Sequence, residues 1–250
     1  MCGFFIEYRK KKNHFDRNKF FTGGNLLSHR GPDSKGDIFL ENFSAIFYRL
    51  KILDLSNKAN QPMESFNGRY IILFNGEIYN FREIKNKYKL KTNSNSDTEV
   101  IIQLFEKVGI KKMLDNLEGM FSFVIYDKFQ NTIYFARDRF GIKPIYYFEN
   151  NLKIVFSSEI KPLLKYTSNK LDNLKSLDFF LKQSMDNDDS TFFNKIKSLK
   201  PSYYGIVKSN NFKLEKYWSI NKKNFNKENT SETKKKIKKL FSDSIKKHLI

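Results

Sequence analysis

The chain has 250 residues, of which 40% are hydrophobic and 16% aromatic, and a formal net charge of +19. This length and apolar content suffice for the core of one large domain or two small ones, which excludes disorder as the main state. The single cysteine, Cys2, excludes an intrachain disulfide and a multi-cysteine zinc site. No apolar run approaches the roughly 18 residues of a membrane span, and the N-terminus lacks the pattern of a secretory signal. We therefore expect a cytoplasmic protein with no membrane association.

The positive charge is spread along the whole chain and is carried mainly by lysine. Only eight of the 46 basic residues are arginine. Nucleic-acid surfaces usually cluster their bases and use arginine for bidentate contacts to phosphate and base edges. The pattern favours a solvated lysine-rich surface and no specific nucleic-acid partner, although a nucleic-acid binder remains an alternative that predicts steeply salt-dependent binding.

Short apolar strands alternate with helices along the chain. The patterns predict strands at 3–8, 45–48, 70–74, 120–127, 132–136, 145–148 and 153–156. They predict helices at 18–28, 80–88 (with Asn80 as N-cap), 96–105 and 159–166. The run 121–126 is apolar almost throughout, which is typical of a strand buried on both faces. Helices flank the strands on both sides, so the pattern favours an α+β fold with helix–sheet–sheet–helix layers.

The composition changes near residue 208. We expect a first domain over 2–208, a polar linker over 209–230, and one amphipathic helix over 231–249. The apolar stripe of that helix consists of Ile237, Leu240, Phe241, Ile245 and Leu249. Since such a helix has no core within its own segment, the sequence predicts either the incomplete start of a second domain at 231–250 or a helix that packs on a partner.

Cys2 is the first candidate for chemistry. Its small side chain favours removal of Met1, which would leave a free α-amine beside the thiol. Such an amine has a pKa of about 7.7–8.0, so roughly a tenth is unprotonated at pH 7 and can act as a general base. Amine and thiol together form the arrangement of N-terminal-nucleophile catalysis. Considered alone, Cys2 is more simply a small residue at the start of a strand.

Five further residues are candidates whose sequence context favours a structural role, a functional role or both. Asn75-Gly76 follows an apolar strand and is either a hairpin turn or an oxyanion hole made of a side-chain amide and a backbone N–H. Arg49 is either a surface salt-bridge partner or a clamp for a carboxylate. Asp97 alone suggests a helix N-cap. His29 is interpreted as a turn residue, because the α-amine of Cys2 makes a histidine base unnecessary.

Taken together, nine ordered motifs resemble the glutaminase half of the glutamine-hydrolysing asparagine synthetases. They are MCG at 1–3, SHRGPD at 28–33, RL at 49–50, QPM at 61–63, FNGEIYN at 74–80, SDTE at 96–99, EGMF at 118–121, ARDRFGIKP at 136–144 and FSSEIK at 156–161. The resemblance covers about residues 2–205. It implies a class II glutamine amidotransferase domain with the four-layer αββα fold of the N-terminal-nucleophile hydrolases.

The resemblance also implies roles for individual residues. Cys2 would be the nucleophile with its own α-amine as base, and the Asn75 side chain and the Gly76 N–H would hold the oxyanion. The residues that would bind glutamine are Arg49 at the α-carboxylate, Asp97 and Glu77 at the α-ammonium, and the backbone of Leu50, Lys51, Ile52 and Leu53. No metal or other cofactor is expected for this half.

Full members of the family continue into an ATP-pyrophosphatase domain that begins with an SGGxDS loop, which this sequence does not contain. We therefore expect ammonia to pass to such a synthetase domain, which would need ATP and Mg²⁺ to convert aspartate to asparagine. Three alternatives stay open. In the first, the ammonia goes to a sugar carboxylate of a surface polysaccharide pathway. In the second, the protein retains Met1 and is a catalytically silent module. In the third, which fits the motifs less well, the protein belongs with the enzymes that make glucosamine phosphate or phosphoribosylamine. The oligomeric state, with a homodimer as one option, is also left open.

Overall fold

The computed structural model describes residues 1–11, 14–168, 189–209, 211–220 and 230–249, together with positions 170, 171, 174, 177, 178 and 181. Two six-stranded antiparallel sheets form the centre of the fold. The first sheet contains β1 (Gly3–Arg9), β2 (Ser34–Phe39), β3 (Phe43–Arg49), β8 (Tyr146–Glu149), β9 (Lys153–Ser157) and β10 (Ile196–Ser198). The second contains β4 (Met63–Glu64), β5 (Tyr70–Ile78), β6 (Gly119–Asp127), β7 (Thr132–Arg137), β11 (Tyr203–Lys208) and β12 (Asn211–Lys216). Their strand orders are β10-β8-β9-β1-β3-β2 and β12-β11-β7-β6-β5-β4.

Helices cover the outer face of each sheet. The helices of the described residues are α1 (Arg17–Gly24), α2 (Phe81–Tyr88), α3 (Asp97–Asn116), α4 (Ile160–Thr167) and α5 (Thr230–His248), with 3₁₀ turns at Asn25–Arg30 and Asn57–Ala59. Residues of α1 and α4 pack with the first sheet, whereas α2 and α3 pack with the second. No helix in the described part of the chain combines the length and apolarity needed to cross a bilayer.

The strands alternate between two cores, which explains their near-continuous apolar sequences. In β1, Phe4 and Ile6 contribute to the core between the sheets, while Phe5 packs under α1 and α4. In β5, Leu73 belongs to the core between the sheets and Ile72 to the core under α3. Strands buried on both faces stack the layers as helix, sheet, sheet and helix, which confirms the predicted αββα fold.

Several predicted bounds are wrong, and each has a local cause. The helix predicted at 18–28 divides into α1 and a 3₁₀ turn. Asn80 occupies the N-cap position of α2 as predicted, but its side chain makes no capping hydrogen bond. Its amide nitrogen instead donates to Asn116 O at 2.9 Å, and its amide oxygen accepts from Glu118 N at 3.0 Å. The helix predicted at 96–105 continues as α3 to Asn116, through a break at Gly109 with φ +75°.

The C-terminal predictions have mixed outcomes. Strand β12 pairs with β11, so the second sheet extends past Lys208 into the range predicted as linker. Positions 221–229 of that linker lie outside the described residues. The amphipathic helix is present as α5, and its apolar stripe is exposed. Its observed contacts with the domain include the ring of His248 against Tyr79 and an ion pair between Lys247 and Glu118.

Candidate active site

A cleft opens beside the N-terminus, where β1 begins, β3 ends and α3 begins. Strand pairing creates this junction, because Gly3 lies opposite Tyr48 and so brings Cys2 to the end of β3. Every residue that the resemblance assigns to the site lines this cleft except Lys51. The backbone N–H of Lys51 instead donates to Asp33 Oδ2 at 2.8 Å, which fixes the loop that follows β3.

Hydrogen bonds fix both the side chain and the backbone carbonyl of Cys2. Its Sγ accepts a hydrogen bond from Leu50 N at 3.4 Å. Its carbonyl accepts from Arg30 Nε at 2.9 Å, and Arg30 is in turn bound to Glu159 at 2.9 Å. Burial raises the pKa of the Cys2 thiol, while the Leu50 N–H opposes that rise. The thiol therefore needs a nearby base to become a nucleophile at neutral pH.

Arg49 is a buried cation of the cleft, so the salt-bridge interpretation of its sequence is wrong. Only 6% of the residue is exposed. Its guanidinium donates to the backbone carbonyls of Ser56 (2.8 Å) and Asp54, and to Asn60 Oδ1 (2.8 Å). Because these acceptors are uncharged, they orient the guanidinium without neutralising it. The arrangement suits the recognition of a carboxylate.

Asn75 and Gly76 lie within β5, so both the hairpin turn and the strand-to-loop edge predicted for them are wrong. They pair with Ser122 and Phe121 of β6. A Cβ at Gly76 would lie 2.2 Å from Met120 O, so only glycine permits this pairing. Asn75 is 1% exposed, and its Nδ2 has no hydrogen-bond partner among the described residues. A buried amide donor without a partner is costly and calls for a ligand.

Asp97 is a buried carboxylate in the first turn of α3 and does not cap the helix. The cap is Ser96, whose hydroxyl accepts from Thr98 N. Asp97 Oδ2 accepts from Ile78 N at 3.0 Å. Burial, with a smaller contribution from Glu77, raises the pKa of Asp97 to about 7 despite this and neighbouring backbone hydrogen bonds. Two carboxylates in one cleft form a place for a cation.

His29 lies apart from this chemistry. Its side chain is 58% exposed, and its Nε2 is 3.0 Å from Glu159 Oε1. It is absent from the lining of the cleft. This position agrees with its interpretation as a turn residue.

Sequence reasoning missed three further groups of the cleft. Lys143 lines it, although no role was predicted for the lysine of the motif at 136–144. Gln61 fixes β5 by accepting from Phe74 N at 2.6 Å and donating to Thr98 Oγ1 at 3.2 Å. Asp54 binds the N–H groups of Ser56 and Asn95. Its place within the motif at 136–144 was the one available signal for Lys143. Nothing in the spacing of Gln61 or Asp54 indicated their contacts.

No cluster of three or more His, Cys, Asp or Glu side chains that could hold a metal ion occurs in the described ranges. The groups that converge in the cleft are a thiol, a buried amide donor, a guanidinium and a carboxylate pair. Such a set suits an amino acid whose side chain carries a carbonyl carbon.

Comparisons with known proteins identify the family. Residues 1–218 match the family model described as a glutamine amidotransferase domain. Asparagine synthetase (glutamine-hydrolyzing) 2 of Bacillus subtilis is 36% identical over 205 aligned positions, and the match covers 78% of this chain and 27% of that protein. Asparagine synthetase (glutamine-hydrolyzing) 1 of the same organism is 32% identical over 258 aligned positions, gaps included, and the match covers 100% of this chain and 40% of that protein.

A solved structure agrees at the level of the fold. The glutamine phosphoribosylpyrophosphate amidotransferase of Bacillus subtilis, complexed with ADP and GMP, superposes with a TM-score of 0.62 at 19% identity. The match covers 88% of this chain and 50% of that one. The chain spans less than half the length of the curated relatives described above. From its sequence, fold and cleft, the chain belongs to the glutamine amidotransferase domain family.

Proposed function

We propose that the chain hydrolyses L-glutamine to glutamate and ammonia, with Cys2 as an N-terminal nucleophile once Met1 has been removed. The observation that carries this proposal is the unpartnered, buried Nδ2 of Asn75, which shares the cleft with the Cys2 thiol. A donor left free beside a nucleophile suits an oxyanion that exists only during the reaction.

The reaction proceeds through a thioester. The free α-amine of Cys2 takes the thiol proton, directly or through water, and the sulfur attacks the side-chain amide carbon of glutamine. Asn75 Nδ2 and the backbone N–H of Gly76 hold the negative oxygen of the tetrahedral intermediate. The amide nitrogen takes a proton and leaves as ammonia. Water then attacks the thioester, which releases glutamate and restores the thiol.

The two ends of the cleft recognise the two ends of the substrate. Three of the five N–H groups of Arg49 are bonded to protein acceptors within the described ranges. The Nε–H and one Nη2–H remain for the α-carboxylate of glutamine. Asp97 and Glu77 bind the α-ammonium, and the backbone of Leu50, Ile52 and Leu53 lines the path between. An uncharged side-chain amide then points to Cys2.

Met1 must leave for this mechanism. Met1 lines the cleft, and its Sδ is 2.9 Å from Lys143 Nζ. While Met1 remains, the amine beside the thiol is a peptide nitrogen that cannot accept a proton. A chain that keeps Met1 would therefore bind as a module without catalysis.

The ammonia that the chain releases needs an acceptor, and the names of the relatives suggest aspartate. The two Bacillus subtilis relatives carry the name asparagine synthetase, and both are longer than this chain. We propose that the ammonia supplies ATP- and Mg²⁺-dependent conversion of aspartate to asparagine in a synthetase domain. The residues of the cleft themselves require neither ATP nor a metal for glutamine hydrolysis.

The test compares glutamate release by wild type, by Cys2→Ala and by a chain with an uncleaved N-terminal extension. The intact mass of each preparation establishes whether Met1 is present. We expect release only by the wild-type chain that lacks Met1. Equal release by Cys2→Ala would overturn the mechanism, and equal release by the extended chain would overturn the role of the α-amine.

A further inference from the structure

Lys143 is a buried cation that the proposed mechanism does not use. It is 7% exposed and lines the cleft together with Cys2 and Glu77. The sulfur of Met1 lies 2.9 Å from its Nζ, so the amine is directed at the N-terminus. Burying a lysine amine in this way is costly, and a surface position would have avoided the cost.

The turn that carries Lys143 is fixed by two side chains at the end of β7. The Asp138 carboxylate accepts four backbone N–H groups, those of Phe121, Phe140, Ile142 and Lys143, at 2.9–3.2 Å. Arg137 donates to the carbonyls of Lys143 and Gly141. Gly141 adopts a φ of +69°, which the tight turn requires. This rigid turn holds one lysine at one place in the cleft.

Lys143 differs from the other two cations near Cys2 in how its charge is used. Arg30 is bound to Glu159 and to the carbonyl of Cys2. Arg49 is bound to the carbonyls and amide of the loop after β3. Among the described residues, the thioether of Met1 is the hydrogen-bond partner of Lys143 Nζ, and no carboxylate lies within 4.0 Å of it. Removal of Met1 therefore takes away this partner and leaves the ammonium in the same cleft as the new N-terminal residue, Cys2.

A positive charge beside an amine and a thiol favours loss of a proton from both groups. The free amine is the base and the thiolate is the nucleophile, so one cation promotes both active forms. We propose that Lys143 tunes the protonation of Cys2, keeping its α-amine unprotonated and its thiolate accessible at neutral pH. This inference rests on the proposed glutaminase function.

Several charged groups face Cys2 or Lys143 and contribute to the same balance. The pKa of Lys143 is lowered mainly by burial and also by Arg30. The carboxylates of Glu77 and Asp138 oppose both effects. The charged side chains around the pair are Arg30, Asp33, Arg49, Glu77, Asp97 and Asp138. Since the test changes Lys143 alone, their contributions remain constant.

The test compares Lys143→Met, which removes the charge, with Lys143→Arg, which keeps it. Lys58→Met, at an exposed position outside the cleft lining, is the control for net charge. The acidic limb of the pH profile of kcat, measured at saturating glutamine, reports the base without the effect of Asp97 on substrate binding. We expect Lys143→Met to move this limb up by about 0.5–1 pH unit, and Lys143→Arg and Lys58→Met to leave it near the wild-type position.

A second readout does not depend on glutamine. Because Cys2 is the only cysteine, the rate of alkylation by iodoacetamide against pH reports its thiolate alone. We expect the midpoint to rise in Lys143→Met and to be restored in Lys143→Arg. Unchanged midpoints and an unchanged acidic limb, in an active enzyme, would overturn the role of Lys143 only. A shifted alkylation midpoint in a protein that releases no glutamate would overturn the glutaminase proposal and leave the electrostatic one.

Discussion

Two buried carboxylates in this domain have opposite surroundings. Glu7 in β1 is fully buried and is contacted by Arg9 (3.0 Å), Lys153 (2.7 Å) and the hydroxyl of Tyr166 (2.7 Å). Asp97 at the start of α3 is 5% exposed, and the hydrogen bonds to it described above come from backbone N–H groups. No side-chain cation within the described residues pairs with it.

These opposite surroundings indicate that Glu7 serves the stability of the domain and Asp97 serves ligand binding. At Glu7 the protein itself supplies the opposite charges, so the group is complete before any ligand arrives. At Asp97 the protein leaves the negative charge unmatched, and the same is true of the amide donor of Asn75 nearby. Groups left incomplete destabilise the empty domain and become favourable only when a ligand of matching chemistry binds.

The largest effect is expected for Glu7→Gln. The substitution leaves Arg9 buried without its counter-charge, and breaking a buried pair typically costs about 3–5 kcal/mol. Urea unfolding measures the loss. The control is Glu64→Gln, because its pair with Lys128 is exposed and should contribute less than about 1 kcal/mol. Similar losses in the two variants would contradict the role assigned to burial.

Asn75→Ala should reduce kcat for glutamine hydrolysis by about 10²–10³, or about 2.7–4 kcal/mol, because it removes one oxyanion donor. Its free energy of unfolding should change little, since Nδ2 bonds to no described residue. The matched control is Asn80→Ala, because the side-chain amide of Asn80 donates to Asn116 O and accepts from Glu118 N. That variant should lose about 1–3 kcal/mol of stability and keep kcat. The reverse pattern would remove Asn75 from the mechanism.

Asp97→Asn should change stability in a pH-dependent way. A pKa raised from 3.8 to about 7 means that the folded domain binds this proton more tightly than the unfolded chain. Stability is therefore lost as pH rises from about 4 to about 7, and the full cost is present above pH 7. We expect the stability of Asp97→Asn relative to wild type to improve by about 2–3 kcal/mol between pH 5 and pH 8. Parallel stability curves would contradict the raised pKa.

The same carboxyl should control glutamine binding. Below pH 7 the empty site holds a neutral Asp97, which attracts the substrate ammonium weakly. The KM of wild type should therefore rise as pH falls through 7, and Asp97→Asn should have a high KM at every pH. Initial rates at several glutamine concentrations and pH values measure this dependence.

The smallest effect is expected at the helix caps. Ser96→Ala removes the hydroxyl that accepts from Thr98 N, and Asp16→Ala removes the carboxylate that accepts from Lys19 N. Each should cost about 1 kcal/mol in thermal unfolding. Ser96 also adjoins Asp97, so only Ser96→Ala should raise the KM for glutamine. Equal KM values in the two variants would show that the cap does not position Asp97.

The sequence predicts the central, apolar strands well, and it predicts strands with many polar residues poorly. Strands β1, β5 and β6 have long apolar runs because both faces are buried, and these runs are easy to find. Edge strand β2 was missed, since an edge strand with one face towards solvent has few apolar residues. The end of β5 was also missed, because Asn75, Gly76 and Glu77 are polar or small residues in a strand. Local rules fail where a strand carries groups for a ligand.

The site residues depended on the resemblance more than on the spacing. Considered alone, Arg49 suggested a salt bridge and Asp97 a helix cap, because their burial depends on contacts far away in sequence. The approach of Cys2 to Leu50 spans 48 positions and follows from the pairing of β1 with β3. Lys143 had no assigned role, since only the folded turn directs it into the cleft.

The most direct test of the account is the intact mass of the chain after reaction with a chloroketone analogue of glutamine. A single adduct that is absent from Cys2→Ala, and that peptide mapping places on Cys2, the only cysteine, identifies the nucleophile. We predict one label on a chain that has lost Met1, protection by glutamine, and loss of glutaminase activity in proportion to labelling. Loss of activity with the label at another residue, or labelling and activity in a chain that retains Met1, would contradict the proposal that Cys2 acts as an N-terminal nucleophile.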